Sequence, residues 1–475
     1  MISALCGPAS IRIAEPPTPT NSTSSMLLED TERLALHRRG RFLWAALKRP
    51  HRVLSTCKVN GGLREDLTHL ANHQSCEGVA HANRYARNLA ARPRLDSFHQ
   101  RACDEAGLPA ETTALMATAA NMQCAVLAQA AQDELSVTVA ATAGVLGNAL
   151  RAGDPAGWHE HQEGSRPIHR QSPAALAGGP PSGHTPEALP AADPAGRLSY
   201  SRSCGDAHSS SPQVDAGIDG KRHDDVPDGP PAPDEAGSGT IVTLVFINQP
   251  CTAACLIRAA TMVTEAKSTA LLDLRMPSLQ SHGLATGTGT DQLIIAAPLP
   301  REGTGEVNEE DDWERNWAGG HNTLGELLAR ATHEAVTRCL LLQNGVCAEL
   351  RRSICGALGR FGCDEATLIK TARATLGHAD AELFEKNLTA IVHDPQSAAA
   401  AYGLAEIIDL TRTGVLHAEV ARESIVNQAA LLAASVAVRP EQFAALREVL
   451  HRQHDAAPAE LAAGAVALGF AQKWN

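Results

Sequence analysis

Apolar and polar positions divide the chain into regions of different rhythm. Up to about residue 154, short apolar runs alternate with turn residues: 42–47 and 53–57 read as strands, and 135–140 alternates as a half-buried strand does. Between them, residues 111–131 space Leu115, Met116, Ala119, Met122 and Val126 along one face, which predicts a helix opening after Pro109. From 155 to 238 the periodicity disappears under Pro, Gly, Ser, Ala, Asp and His. Such a stretch buries too little apolar area to offset its ordering entropy and reads as a disordered insert. Order returns with the apolar runs 241–247 and 293–297, strands of the kind buried on both faces, separated by a helix over 252–274. A second helix opens after His321, where Thr323 and Glu326 have capping-box spacing. Beyond residue 348 the rhythm is helical throughout and predicts four to six helices.

The expected architecture is therefore α/β: a mixed sheet with flanking helices built from two halves, plus a C-terminal all-α domain. The segments are a flexible leader (1–34), a first half (35–154), the insert (155–238), a second half (239–345) and a helical extension (346–475). The chain has 475 residues, enough for a sizeable core, and only 3% are aromatic, so Ala, Val, Leu and Ile must build it. A net charge of −12 argues against an electrostatic nucleic-acid binder. No run approaches the length of a membrane span, and no secretory signal is evident. Twelve cysteines without CxxC pairs read as reduced thiols, and a cytoplasmic location is expected. No HExxH or clustered His/Asp set points to a metal.

Chemistry-bearing residues concentrate at element ends in the second half. The hexad 286–291 alternates Thr286, Thr288 and Thr290 with Gly287 and Gly289 and ends in Asp291. Its glycines allow tight bending and its hydroxyls and amides can bind carbonyl oxygens. A plain turn before a strand is the structural alternative. On the 252–274 helix, small apolar neighbours predict burial nearly all round, which makes Glu265 a candidate general acid or base. Lys267 lies about 200° round the helix from it. Both residues fit structural ion pairs equally well. His321, behind Gly319 and Gly320 at a helix N-terminus, would stay neutral and able to accept a proton, or is simply solvated. In the first half, Asn60, Gly61 and Gly62 form either a hairpin tip or a place where backbone approaches a ligand.

Taken together, these stretches resemble the adenosylcobinamide amidohydrolase family (CbiZ). The resemblance rests on 239–241, 264–267 with 270–273, 285–291 and 318–326, and in the first half on Leu54 and Ser55, 60–62, 142–144 and 149–154. It covers roughly 35–154 and 239–343; neither the insert nor the helical extension has a counterpart in it. The resemblance implies hydrolysis of the amide of adenosylcobinamide to adenosylcobyric acid and 1-amino-2-propanol, in corrinoid salvage for coenzyme B12 (cobalamin) biosynthesis. The cobalt-bearing corrinoid is then substrate, and no cofactor is expected. For direct attack by water, Glu265 or His321 is the expected base or acid, with Asp291 the third catalytic candidate. Donors from Thr286, Gly287, Thr288, Gly289 and Thr290 would hold the oxyanion, and Asn60, Gly61, Gly62 and Lys267 would help bind substrate. A threonine nucleophile in the hexad is the variant. The alternative is a non-catalytic corrinoid-binding protein that recruits a protein partner through its helical extension.

Overall fold

The computed structural model describes residues 10–13, 25–75, 95–156, 158–161, 164–167, 239–300 and 313–474. The chain divides into two compact units, Met1–Gly153 with Ala232–Asn475, and Asp154–Pro231. Strands β1 (Ser10–Ile13), β2 (Met26–Asp30), β3 (Leu34–Arg39), β4 (Phe42–Leu47), β5 (His51–Ser55), β6 (Gly62–Arg64) and β7 (His69–Gln74) come first. Helix α1 (Leu95–Ala106) precedes β8 (Thr113–Thr118), β9 (Val126–Gln132), β10 (Leu135–Ala143) and β11 (Ala149–Leu150). In the second unit, β12 (Trp158–His161) and β13 (Gly164–Pro167) form an antiparallel hairpin. The rest of the expected insert lies outside the described residues. Then follow β14 (Ile241–Ile247), α2 (Ala253–Asp273), β15 (Gly287–Thr288), β16 (Gln292–Pro298) and α3 (Thr323–Asn344).

The two halves do build one joint, mixed sheet, and the N-terminal part of the chain adds a second, also mixed, of its own. One has seven strands in the order β1-β9-β10-β14-β16-β5-β6, and the other has five in the order β2-β3-β4-β7-β8. β14 and β16 are parallel neighbours, with Val242 opposite Gln292 and Phe246 opposite Ala296; β10 pairs antiparallel on the other side of β14. Side-chain alternation sorts the residues into layers. Val53, Leu244, Phe246 and Ile294 face Leu36, Leu43, Leu70 and Met116 of the five-stranded sheet. From the opposite face of the seven-stranded sheet, Val137, Val245, Ile247 and Ile295 pack on Leu256, Val263, Leu328 and Val336 of α2 and α3. Phe42, Trp44 and Leu115 meet Ala102, Cys103 and Ala106 of α1 on the far side of the five-stranded sheet. The result is four layers, helix–sheet–sheet–helix.

Three expectations fail. The stretch expected to be a disordered insert opens with the β12–β13 hairpin. No helix spans 111–131: β8 and β9 occupy that stretch, joined by a short 3-10 turn at Met122–Cys124. All but one position of β8 is buried, because sheet and helix cover its two faces, so apolar residues occur at every spacing and mimic a helical stripe. Within the stretch expected to be leader, Ser10–Ile13 pairs with β9 and Met26–Asp30 with β3. Met26, Leu27 and Leu28 supply the apolar content that makes the latter a strand.

Nine helical segments follow α3: α4 (Ala348–Arg351), α5 (Ile354–Leu358), α6 (Glu365–Thr375), α7 (His378–Lys386), α8 (Leu388–Val392), α9 (Pro395–Arg412), α10 (Ala418–Ala437), α11 (Phe443–His451) and α12 (Pro458–Ala471). Three are single-turn pieces, and the six longer ones match the expected number. They enclose a core of their own, in which Phe384 and Phe470 meet edge to face at 5.2 Å. A groove lined by Gln396, Gln428, Leu431 and Phe443 opens among them, with none of the 286–291 hexad in its wall. No described helix is long and apolar enough to cross a membrane, and the described cysteines are free thiols.

The helical region also grips the loop between α2 and β15. Arg360 donates to His282 O at 2.6 Å, and its guanidinium pairs with Asp409 through both nitrogens of its terminal fork. In return, His282 Nδ1 bonds Arg360 O at 2.6 Å. Arg351 reaches Met276 Sδ at 3.2 Å, and Arg275 lies over the Tyr402 ring.

Two tests follow from this packing. Arg360→Ala should cost about 1–3 kcal/mol, discounted because Asp409 is partly exposed. It should also speed amide exchange in 277–285 while leaving β14 protected; unchanged exchange there would show that the grip does not order the loop. His51 is buried, and burial holds its imidazole down at about 4, so it stays neutral in the fold. Below about pH 6.5 the unfolded chain takes up a proton that the folded chain refuses, so stability falls by about 3 kcal/mol towards pH 4. In denaturant titrations His51→Gln should flatten that fall; parallel curves for the two proteins would remove His51 as its source.

Candidate active site

The βαβ unit β14–α2–β16 sets the site. Because the two strands are parallel, α2 must return the chain to the starting ends of both, and the 286–291 hexad is the last turn before β16. Thr252 caps the start of α2, its side chain accepting from Cys255 N at 3.2 Å. At the other end, residues of the hexad fold back as β15, antiparallel to β11, with Ala149 opposite Thr288 and Leu150 opposite Gly287.

Asp291 is the centre of this arrangement. Its Oδ1 accepts from Ile241 N at 3.1 Å and from Thr288 Oγ1 at 2.6 Å. Its Oδ2 accepts from Thr288 N at 3.1 Å and from Lys267 Nζ in an ion pair. The Lys267 and Asp291 side chains are 15% and 17% exposed, so the pair is largely withdrawn from water and unlike a surface bridge. Gly287 is needed here because a Cβ would lie 2.4 Å from Asp291 Oδ2 and 2.7 Å from Lys267 Nζ.

Beside this pair lies a cluster of neutral groups. Thr240 and Thr290 hydroxyls meet at 2.6 Å, and Thr290 Oγ1 lies 3.1 Å from Gly239 O. Asn148 Nδ2 donates to Gly239 O at 3.0 Å and reaches Thr290 Oγ1 at 3.4 Å. Ser268 Oγ donates to Thr286 O at 3.0 Å. Gly289 and Thr290 are exposed, so the cluster opens to solvent at that turn. Nearby, fully buried Asn72 on β7 donates to Thr142 Oγ1 on β10 at 2.9 Å and links the two sheets.

The three candidates expected to act together are not joined by hydrogen bonds. Glu265 is 55% exposed rather than buried and meets Arg258 at 3.5 Å. Two residues further along α2, Lys267 lies on the face that carries Asp291, so the helix presents its lysine to the hexad and its glutamate to solvent. His321 is exposed and hydrogen-bonded to no described residue. The helix it precedes is capped by Asn322, whose side chain accepts from Leu324 N at 2.9 Å, so the expected Thr323 cap is one residue off.

The hexad amides are largely committed. Thr286 N donates to Leu150 O, Thr288 N to Asp291 and Thr290 N to Thr288 Oγ1. Asn60 has φ +54° and gives both amide hydrogens to Ala110 O and Thr113 O; Gly61 must be glycine because a Cβ would sit 1.8 Å from Cys57 O. With Gly62 opposite Ser55, 60–62 is the tip of the β5–β6 hairpin. Asn148 and Thr240 are the residues the sequence did not single out as site groups, although both stand in or beside the blocks that suggested the family. Among the described residues no group of three or more His, Cys, Asp or Glu is placed to hold a metal ion.

Comparison with known proteins bears on what such a cluster does. An uncharacterized protein of Methanocaldococcus jannaschii is 30% identical over 109 residues, 23% of this chain. The chain matches 38% of that relative's length. A family model described as adenosylcobinamide amidohydrolase (CbiZ) matches residues 27–348 and so takes in both sheets apart from the edge strand β1, together with the hexad and α3. With more than half of its length so matched, the chain belongs to the adenosylcobinamide amidohydrolase family.

Proposed function

We propose that this protein hydrolyses the amide of adenosylcobinamide, releasing adenosylcobyric acid and 1-amino-2-propanol, as a corrinoid-salvage step. The observation that carries the reading is the Lys267–Asp291 pair, withdrawn from water beside a cluster of hydroxyl and amide groups, in a chain of this family. Amide hydrolysis needs a proton acceptor for water, positive charge or donors for the tetrahedral oxyanion, and a proton for the departing amine. Asp291 is the carboxylate of the cluster. All four of its lone-pair directions are occupied, and the Thr288 hydroxyl is the donor that can rotate away to free Oδ1. In this reading Asp291 then takes the proton of the attacking water, and Lys267 faces the oxyanion as the counter-charge. Asn148 and Thr290, at the solvent-facing turn, hold the substrate amide. The proton taken up by Asp291 passes to the leaving 1-amino-2-propanol. Because Glu265 and His321 are not bonded into this cluster, the reading gives neither of them a step.

Incubation of the purified chain with adenosylcobinamide, followed by liquid chromatography with mass detection, should yield both products. Absence of adenosylcobyric acid would overturn the reading. Asp291→Asn should lower turnover by at least about 100-fold with corrinoid binding kept, and Glu265→Gln should stay within about threefold of the parent. The reverse pattern would return the proton acceptor to Glu265. Because it leaves Lys267 without its counter-charge, Asp291→Asn should also destabilise the fold by about 2–4 kcal/mol. A thermal melt separates that loss from the catalytic one.

A further inference from the structure

Where the helical region meets the α2–β15 loop, arginines gather in a chain whose net charge is −12. Arg275, at φ +54° just past α2, holds its Cζ 5.4 Å from the Tyr402 ring centre. Arg360 and Arg412 both lie over Phe361, with Cζ at 4.2 Å and 4.8 Å from its centre. Arg351 is half-buried, and its carbonyl accepts the Tyr402 hydroxyl at 2.7 Å. Burial raises the Tyr402 hydroxyl, and the four guanidiniums of Arg275, Arg351, Arg352 and Arg360 are all close enough to offset part of that rise.

Carboxylates do not balance this charge. Asp409 alone serves two of these arginines: it pairs with Arg360, and its charge also reaches Arg412. Asp273 pairs with His333 instead, Glu349 lies in the longer-range field of Arg352, and Glu406, exposed on α9, makes no ion pair among the described residues. None of Arg275, Arg351, Arg352 or Arg412 is in an ion pair among the described residues. Arg351 has only a thioether for a side-chain acceptor, and partial burial depresses both Arg351 and Arg412; on Arg412 the charge of Asp409 opposes that, and the weaker repulsion of Arg360 adds to it.

We propose that this junction is a binding site for a phosphate-bearing ligand, held by Arg275, Arg351, Arg352 and Arg412 over a floor formed by Tyr402 and Phe361. A guanidinium stacked on a ring is weakly hydrated and keeps its planar fork free for an oxyanion. Several forks in one neighbourhood suit the three or more oxygens of a phosphate better than the two of a carboxylate. The site is separate from the Lys267–Asp291 cluster and stands whether or not the amide is hydrolysed there.

The test is calorimetric titration of the full chain with inorganic phosphate, pyrophosphate and ADP at low ionic strength. Saturable one-to-one binding is expected for at least one of them. Arg275→Ala with Arg412→Ala, both exposed side chains, should weaken it by about tenfold or more, while Arg330→Ala on α3 leaves it unchanged. Thermal melts establish that the double variant is folded, and Arg352→Ala serves as a second exposed probe. Tighter binding of ADP than of pyrophosphate would mean that the phosphate arrives on a larger molecule, and equal binding that a free phosphate suffices; both support the site. No binding up to about 10 mM, or equal binding by the parent and the folded double variant, would overturn it.

Discussion

One carboxylate ties together the parts of this protein that would otherwise move independently. Asp291 accepts a backbone N–H from the start of β14, two donors from the hexad and the ammonium of Lys267 on α2. These donors come from three segments of the βαβ unit, so the register of β14 against β16, the rotation of α2 and the path of the hexad are fixed at one point. Burying that carboxylate is tolerable only because every lone pair is met and a lysine supplies the opposite charge. The same conditions concentrate fixed charge and oriented dipoles in one place, which is what stabilising a developing charge requires.

Much of this was legible from the residues. Runs 241–247 and 293–297 lack polar alternation because the sheet they share is covered on both faces, and a continuous apolar run is the signature of that burial. The hexad stood out because glycine and threonine alternate where only a turn fits. The surroundings of Glu265 were not legible. α2 is rich in small residues on every side, so its buried stripe has no sharp edge in the sequence, and a glutamate in solvent looks like one inside. Asn148 carries no local signal at all; its partners, Gly239 O and Thr290, lie 91 and 142 residues away. The 111–131 stretch misled for a related reason. Ala, Leu and Met favour a helix, but pairing with β7 and β10 outweighed that preference.

The helical extension illustrates how contact can join regions that composition separates. Its core is its own, yet Arg351, Arg360 and Tyr402 reach onto 275–282, the loop leading straight into the hexad. A loop of that length with few apolar residues has little intrinsic order. Clasped at Arg275, Met276 and His282, it delivers Thr286 to β11 in a fixed direction.

The pairing of β10 with β14 also bears on chain connectivity. Seven residues of each strand are matched, from Val137 with Ile247 to Ala143 with Ile241, and Asn148 bonds Gly239 O just beyond. The covalent path between these neighbours runs through the second unit, Asp154–Pro231. A chain cut anywhere in that excursion would still have its two pieces joined through the middle of the larger sheet by hydrogen bonds and by a core shared between both halves. Continuity of the chain is thus not what holds the larger sheet together, and the molecule has the topology of two interlocking fragments that happen to be translated as one.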